Sequence, residues 1–181
     1  NVARALNKLG SEAIAVFPSG GYTGQFFNHL LEKEEISSRI IESVNETREN
    51  IIVLDESTNN QYRFGMPGTT LSDTEWKKCL DMIAGEKEVA YIVASGSLPP
   101  GVPKDIYAQL ARIAKQQNAR LVVDTSGEAL RHASEEGVFL LKPNLSELAF
   151  LAGKSEIDNA GIFQAAREVI SKGRCEAMLV S

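Results

Sequence analysis

The stretch that decides the fold is VAYIVASGSLPPGVPKDIYAQLARIAKQQNARLVVD, residues 89–124. It opens with an apolar run, passes through a loop rich in glycine and proline, and continues with helical periodicity until a second apolar run at 120–124. Short apolar runs that are separated by a helix of this length predict a βαβ unit, in which a crossover helix joins two parallel strands. The stretch therefore predicts a parallel β-sheet.

The same alternation extends to both sides of this unit. VFLLK (138–142) and the final run AMLVS are separated by helical segments, and AIAVF (13–17) stands before a helix that is entered through the loop SGGYTG. Strands that alternate with helices are typical of an α/β protein with helices on both faces of a parallel sheet. We expect an α/β core with that arrangement.

Residues 36–66 break the alternation. Two extended runs, IIVLD (51–55) and QYRFG (61–65), are joined by the turn-forming residues STNN, which predicts an antiparallel hairpin. We expect this segment to be an insertion that leaves the main sheet. The chain is thus divided into a first part of the core at 1–35, the insertion at 36–66 and a second part of the core at 67–181.

Composition excludes several functional classes. The 181 residues carry 19 Lys and Arg against 24 Asp and Glu, a net charge of −5 without a basic block, which argues against nucleic-acid binding by a broad positive face. No apolar run has the length of about 20 residues that a membrane span requires. Cys79 and Cys175 lie far apart without a CxxC pattern, which favours reduced thiols in the cytoplasm over a zinc or redox site.

Ligands of open parallel sheets bind beyond the carboxyl ends of the strands, so the loops at those ends are the first candidates for a site. The loop SGSLPPGVP (95–103) combines glycines, which permit a close approach of the backbone, with free amides at the start of the next helix. It predicts either a stiff strand-to-helix turn or a ligand loop. The residues alone do not separate these alternatives.

A second candidate is LKPNLSE (141–147). Asn144 stands at an N-cap position with Glu147 three residues later, which predicts a capping arrangement and is the favoured interpretation from the residues alone. The alternative is a ligand site, because Lys142, an amide and a carboxylate at the end of a strand suit phosphate oxygens and Mg²⁺.

Arg48 is a third candidate, for which the residues leave two alternatives. It is either a solvated surface residue or a bidentate clamp on a phosphate.

Taken together, the motifs resemble the ribokinase-like (PfkB) family of sugar kinases, and within it most closely the 6-phosphofructokinase branch. The resemblance covers essentially the whole chain, in the family's order and at similar spacing. It is carried by NVARAL, FPSGGYTG, ETRENIIV, QYRFGMPG, ASGSLPPGVP, VVDTSGEAL and LLKPNLSEL. QYRFGMPG and SGSLPPG are specific to the sugar-phosphate branch, whereas KPNxxE is shared more widely.

The resemblance implies a three-layer α/β/α core and a small β-sheet lid that closes on the sugar and pairs two subunits into a homodimer. It implies phosphorylation of the 1-hydroxyl of fructose 6-phosphate, with ATP and Mg²⁺ as cofactors. The residues that it assigns to the sugar phosphate are Asn1, Arg48 and Ser97. Those that it assigns to the ATP side are Lys142, Asn144, Glu147 and Ser181, with Glu147 organising Mg²⁺ through water.

The family's Gly-Ala-Gly-Asp motif, which supplies the catalytic aspartate and an anion hole, does not occur in these 181 residues. We therefore expect a core that is truncated at both ends, and a chain that does not turn over by itself. Tagatose-6-phosphate kinase and 1-phosphofructokinase are alternative activities of the parent protein. A non-catalytic binding or assembly module is an alternative from another functional class.

Overall fold

Helices and strands follow one another in an α/β order over residues 1–181, all of which are described by the structure, a computed structural model. In chain order they are α1 (Val2–Lys8), β1 (Ala15–Ser19), α2 (Gly21–Lys33), β2 (Ser38–Glu42), β3 (Asn50–Asp55), β4 (Asn60–Gly65), α3 (Asp73–Gly85), β5 (Tyr91–Ser95), α4 (Ile106–Gln116), β6 (Arg120–Asp124), α5 (Gly127–Glu136), β7 (Val138–Leu141), α6 (Leu145–Ala152), α7 (Ile162–Ser171) and β8 (Cys175–Met178).

The chain forms two units. The first contains Asn1–Met82 and Pro99–Val102, and the second contains Ile83–Leu98 and Pro103–Ser181. No helix in the chain combines the length and the apolar character that crossing a membrane would require.

A four-stranded parallel sheet in the order β5-β6-β7-β8 forms the centre of the second unit. Ser95 at the end of β5 is aligned with Asp124 at the end of β6, and Val123 is aligned with Leu141 of β7. The connections between successive strands are helical, as the apolar runs predicted. The expected α/β class with a parallel sheet is therefore confirmed.

Apolar side chains with helical and strand periodicity form the core of this unit. On α4, Ile106, Leu110 and Ala114 recur every four residues and are buried, which is the pattern of a helix with one face on a sheet. Strands and helices of this unit both contribute side chains with no solvent exposure. They are Val123 and Leu141 on the strands, and Leu130, Leu148 and Val169 on the helices. The core thus lies between the sheet and the helices that cross over it.

One face of β5 differs from the expectation of helices on both sides. Ile92 and Ala94 are buried, but Tyr91 and Val93, which point to the opposite face, are 51% and 39% exposed. The Arg120 guanidinium lies over the Tyr91 ring, 5.7 Å from its centroid, so this face is lined by an aromatic and a cation. Within this chain, helices cover only one face of β5.

The first unit contains β1 and β2, which pair in parallel with Ala15 aligned with Ser38. The 13-residue helix α2 joins them, so these elements form a further βαβ unit. The prediction that all of 36–66 is antiparallel is therefore wrong for Ser38–Glu42, although these residues do lie outside the four-stranded sheet. Five residues of alternating burial look alike in a hairpin strand and in a parallel edge strand, so periodicity could not separate them.

The antiparallel pairing is confined to β3 and β4, whose register aligns Asn50 with Gly65 and Asp55 with Asn60. The turn between them is stabilised by the Asp55 carboxylate, which accepts hydrogen bonds from the hydroxyls of Ser57 and Thr58. Apart from the half-buried Asp55, every residue of both strands is exposed. The hairpin is thus an extended ribbon with solvent on both faces.

Candidate functional site

In the second unit the carboxyl ends of β5, β6, β7 and β8 share one edge of the sheet, which is where ligands of open parallel sheets bind. Four of the predicted site residues, Ser97, Lys142, Asn144 and Ser181, follow the ends of β5, β7 and β8, and Glu147 lies in the first turn of α6. The other two, Asn1 and Arg48, belong to the first unit.

Two hydroxyl groups hold the turn that carries Ser97. The Tyr107 and Thr125 hydroxyls both donate to the carbonyl oxygen of Gly96, at 3.0 and 2.8 Å, and the Gly96 N–H donates to the Asp124 carbonyl at 2.9 Å. The φ of Gly96 is +111°, a backbone conformation that residues other than glycine rarely adopt. The turn is therefore fixed by its neighbours, and it leaves Ser97 exposed to solvent.

Lys142 lies at the centre of a small polar cluster. Its Nζ is 3.6 Å from Oδ2 of Asp124 and donates to the Ser181 hydroxyl at 3.4 Å. The backbone N–H of Ser181 donates to the carbonyl of Pro143 at 3.1 Å, which keeps the chain after β8 beside the chain after β7. The structure thus brings Lys142 and Ser181 together, as two candidates for the same site require.

Asp124 was not among the predicted site residues, although a signal was present in the sequence. It is the last residue of the apolar run RLVVD, and a carboxylate at the carboxyl end of a buried strand is a candidate by the same reasoning that selected Lys142. Its place beside Lys142 became visible only through their ion pair, because the two residues come from different strands.

Asn144 and Glu147 form the capping arrangement that their spacing predicts. The Asn144 side chain accepts the Glu147 N–H at 2.9 Å, and Oε2 of Glu147 accepts the Asn144 N–H at 2.8 Å. The carboxylate is therefore fixed at the N-terminus of α6, while its other oxygen, Oε1, accepts no hydrogen bond within the protein. Capping is confirmed, and it leaves that oxygen available for a ligand.

The donor set suits only one mode of metal binding. No three His, Cys, Asp or Glu side chains gather into a group that could hold a metal ion. Mg²⁺, however, usually retains several waters and binds through one or two carboxylates together with substrate phosphates. Glu147, with one free carboxylate oxygen, fits that mode, and an all-protein cage is not formed.

Of the two candidates in the first unit, Arg48 is exposed, and its Nη1 lies 3.5 Å from the carbonyl oxygen of Met66, in the segment that follows β4. Asn1 is the N-cap residue of α1, where its carbonyl accepts the Ala5 N–H and its side chain makes no capping hydrogen bond. The structure forms no hydrogen bond between Asn1 and Arg48.

The segment before Arg48 is supported by Glu75, which is only 6% exposed. Its Oε2 accepts the Ser72 hydroxyl and N–H, both at 2.6 Å, and its Oε1 accepts the Val44 N–H at 2.8 Å. The hydrogen bonds from Ser72, followed by that from Val44, lower the pKa of Glu75 from 4.5 to about 2. Ser72 and Glu75 thus form a capping box, in which the Glu75 N–H also donates to the Ser72 hydroxyl at 3.4 Å, and the Glu75 carboxylate binds Val44 as well.

This pKa predicts a pH dependence of stability. The pKa is lower in the folded state, so the ionised Glu75 contributes stability above pH 4.5 that is lost as the pH falls towards about 2. We expect Glu75→Gln to lower the free energy of unfolding at neutral pH and to flatten its decline over that acid range, as measured by urea denaturation. Glu12→Gln, which removes an exposed carboxylate, is the control, and parallel curves for wild type and Glu75→Gln would contradict the prediction.

The whole chain is similar to known carbohydrate kinases. The family described as "pfkB family carbohydrate kinase" matches residues 1–181. An ATP-dependent 6-phosphofructokinase isozyme 2 from Mycobacterium tuberculosis (strain ATCC 25618 / H37Rv) is 41% identical over 182 residues, which cover 100% of this chain and 53% of that protein. A 1-phosphofructokinase from Bacillus subtilis (strain 168) is 35% identical over 153 residues, 84% of this chain and 50% of that protein.

The fold is similar to that of a solved relative. The crystal structure of phosphofructokinase-2 from Escherichia coli in complex with fructose-6-phosphate superposes with a TM-score of 0.94 at 38% identity, covering 99% of this chain and 60% of that chain. This match supports the expected ribokinase-like α/β fold over the full chain. The chain thus spans between half and two thirds of the length of these relatives.

Proposed function

Since the chain belongs to the pfkB family of carbohydrate kinases, we propose that the complete protein is an ATP-dependent 6-phosphofructokinase, which transfers the γ-phosphoryl group of ATP to the 1-hydroxyl of fructose 6-phosphate. The observation that carries the proposal is the gathering of Lys142, Ser181 and Asp124 at the carboxyl edge of the parallel sheet. A cation and a hydroxyl at that edge suit the phosphates of a nucleotide.

On the ATP side, Lys142 supplies positive charge to the phosphates, and Ser181 supplies a hydroxyl beside it. Phosphoryl transfer depends on positioning and on stabilisation of the charge that develops on the transferred group, so a fixed ammonium is more effective than a mobile one. The ion pair with Asp124 and the hydrogen bond to Ser181 restrict the Lys142 ammonium in this way.

Asn144 and Glu147 hold the start of α6 near the same edge, and Glu147 is the residue that we assign to Mg²⁺. When bound, Mg²⁺ would neutralise charge on the phosphate oxygens. Because Oε2 of Glu147 is held by the Asn144 N–H, the free oxygen Oε1 has a defined direction from which it can accept a hydrogen bond from a metal-bound water.

On the sugar side we assign Arg48 to the 6-phosphate, Ser97 to placement of the sugar phosphate, and Asn1 to the sugar hydroxyls. The planar fork of a guanidinium binds two phosphate oxygens at once, which an ammonium does not do. Arg48 suits this role because it is exposed and its one hydrogen bond is the long contact with the Met66 carbonyl.

The assay that tests this proposal compares fructose 6-phosphate, fructose 1-phosphate and tagatose 6-phosphate as acceptors for ATP with the complete protein. We expect the largest kcat/KM for fructose 6-phosphate. A preference for either other sugar would replace the proposal with 1-phosphofructokinase or tagatose-6-phosphate kinase. We expect no turnover from the 181-residue chain alone, because its sequence has no Gly-Ala-Gly-Asp motif; activity of that chain would contradict this part.

We also propose that the hairpin of β3 and β4 is the lid that pairs two copies into a homodimer. The support is its exposed apolar surface, which a monomer would leave in water: Ile51, Ile52, Val53, Leu54, Tyr62 and Phe64 are all between 45% and 58% exposed. Sedimentation of the same preparation tests the dimer, and a complete protein that sediments as an active monomer would overturn it.

We assign the enzyme to the cytoplasm. Both cysteines are free, and burial raises the pKa of each thiol to about 11, so neither is poised for oxidation or disulfide exchange. Unpaired cysteines of this kind suit a reducing compartment. Cell fractionation followed by the phosphofructokinase assay tests the assignment, and activity found in a secreted fraction would contradict it.

A further inference from the structure

Helix α2 begins without a capping side chain of its own. Its N-cap residue is Gly20, so the free N–H groups of the first turn have no local acceptor. Glu46, which lies 24 residues after Tyr22, supplies one: the Tyr22 N–H donates to Oε1 at 3.1 Å and the Thr23 N–H donates to Oε2 at 3.3 Å. A carboxylate from a distant loop thus binds the positive end of this helix.

Thr47 makes a second connection to the same loop. Its N–H donates to the Gly20 carbonyl at 2.9 Å, and its hydroxyl accepts the Gly20 N–H at 3.0 Å. The approach is too close for any side chain at Gly20, because a Cβ there would lie 2.2 Å from the carbonyl oxygens of both Ser43 and Asn45. The absence of a side chain at Gly20 therefore allows the segment 43–47 to pack against the start of α2.

The remaining residues of this segment are also held. Ser43 N–H donates to the Ser19 carbonyl at 3.0 Å, and Val44 N–H donates to Glu75 at 2.8 Å. The Asn45 side-chain amide donates to the Thr70 carbonyl at 2.7 Å. Five consecutive residues are therefore anchored, and the next residue in the chain is Arg48, whose own side chain makes only the long contact with the Met66 carbonyl.

We propose that Glu46 is a positioning residue for Arg48: by binding the amides of α2 it fixes the backbone from which the guanidinium reaches the sugar phosphate. This inference rests on the proposed function. Thr47 is the only residue between Glu46 and Arg48, so a rotation of the peptide at Glu46 would be transmitted to Arg48 with little opportunity for compensation. A guanidinium that binds two oxygens depends on orientation as well as on distance.

The two possible effects of replacing Glu46 change KM for the sugar phosphate in opposite directions, so the experiment distinguishes them. By charge alone, removal of a carboxylate near a phosphate-binding arginine strengthens phosphate binding, whereas loss of positioning weakens it. In the complete protein we expect Glu46→Gln to raise KM for fructose 6-phosphate about tenfold, which is the size of one lost charge-assisted hydrogen bond. KM for ATP should change less than about twofold. An unchanged or lower KM for the sugar phosphate would overturn the inference.

Glu49→Gln is the matched control. Glu49 flanks Arg48 on the other side and is exposed, and it makes no hydrogen bond to α2. Its replacement removes the same charge without releasing the segment, so we expect KM for fructose 6-phosphate to stay within about twofold of wild type or to fall. Equal increases in KM for the two variants would show that the loss does not depend on the hydrogen bonds of Glu46 to α2 and would overturn the inference.

A double variant connects Glu46 to Arg48. In an Arg48→Ala background, Glu46→Gln should raise KM for the sugar phosphate by less than about twofold, because the residue that it positions is absent. A full additional increase would mean that Glu46 acts elsewhere and would overturn the inference.

The inference and the proposed function fail in different ways. If the wild-type protein phosphorylates fructose 6-phosphate and Glu46→Gln behaves as Glu49→Gln does, only the inference fails. If the wild type phosphorylates no hexose phosphate, the proposed function fails and the inference falls with it. Hydrogen exchange of the Tyr22 and Thr23 amides, which should be faster in Glu46→Gln, checks the underlying contact without substrate; unchanged exchange would overturn the inference whether or not the protein is a kinase.

Discussion

Replacement of Arg48 by alanine in the complete protein is expected to raise KM for fructose 6-phosphate about a hundredfold, with less than about twofold change in KM for ATP. The reason is that the guanidinium supplies two charge-assisted hydrogen bonds to the phosphate, and alanine leaves those phosphate oxygens to water. Steady-state kinetics with each substrate varied in turn measures the effect. Arg48→Lys keeps the charge but not the planar fork, so its KM should lie between those of wild type and Arg48→Ala.

Arg167→Ala is the control for a general loss of positive charge. Arg167 lies on α7, far from the assigned residues in sequence, and is exposed. Its removal should leave both KM values within about twofold of wild type. An unchanged KM for the sugar phosphate in Arg48→Ala would count against the assignment of Arg48, whatever the control showed.

The second large effect is on stability. Leu148 has no solvent exposure on α6, the helix whose N-terminus carries Asn144 and Glu147. We expect Leu148→Ala to lower the free energy of unfolding by about 2–5 kcal/mol, because the substitution removes buried apolar surface and leaves a cavity in a close-packed core. Urea denaturation of wild type and variant at neutral pH measures the difference.

Leu145→Ala is the matched control on the same helix. Leu145 is 38% exposed, so truncation there removes less buried surface and opens no closed cavity, and we expect a loss of less than about 1 kcal/mol. The comparison separates packing from helix propensity, since both variants replace leucine by alanine within α6. Equal losses at the two positions would contradict the burial argument.

Features that depend on residues close together in the chain were predictable. The capping arrangement at Asn144 with Glu147 was expected from a three-residue spacing and forms, and the one at Ser72 with Glu75 has the same spacing. The turn between β3 and β4 follows from STNN in the same way. In each case the hydrogen-bond partners lie within one turn, so the local sequence contains all the groups involved.

Features that depend on distant residues were predicted only in part. The parallel pairing of β5 to β8 followed from the alternation of strands with helices. The parallel pairing of β2 with β1 did not, because the pattern of a short strand does not indicate which strand it pairs with or in which direction. Asp124 and Lys142 are 18 positions apart in sequence and meet because their strands are neighbours. Their ion pair required the register of the sheet.

By itself, the sequence determined the α/β class, the parallel sheet, the hairpin and the positions of the candidate residues, since periodicity and turn-forming residues act locally. Only the tertiary structure decided what those residues touch. It showed that Gly20 allows the close approach of the segment before Arg48, and that Glu46 binds the amides of a helix whose Tyr22 lies 24 residues earlier in the chain. The physical reason is that these are backbone approaches and hydrogen bonds across loops, which depend on how the elements pack and leave no periodic signal in the chain.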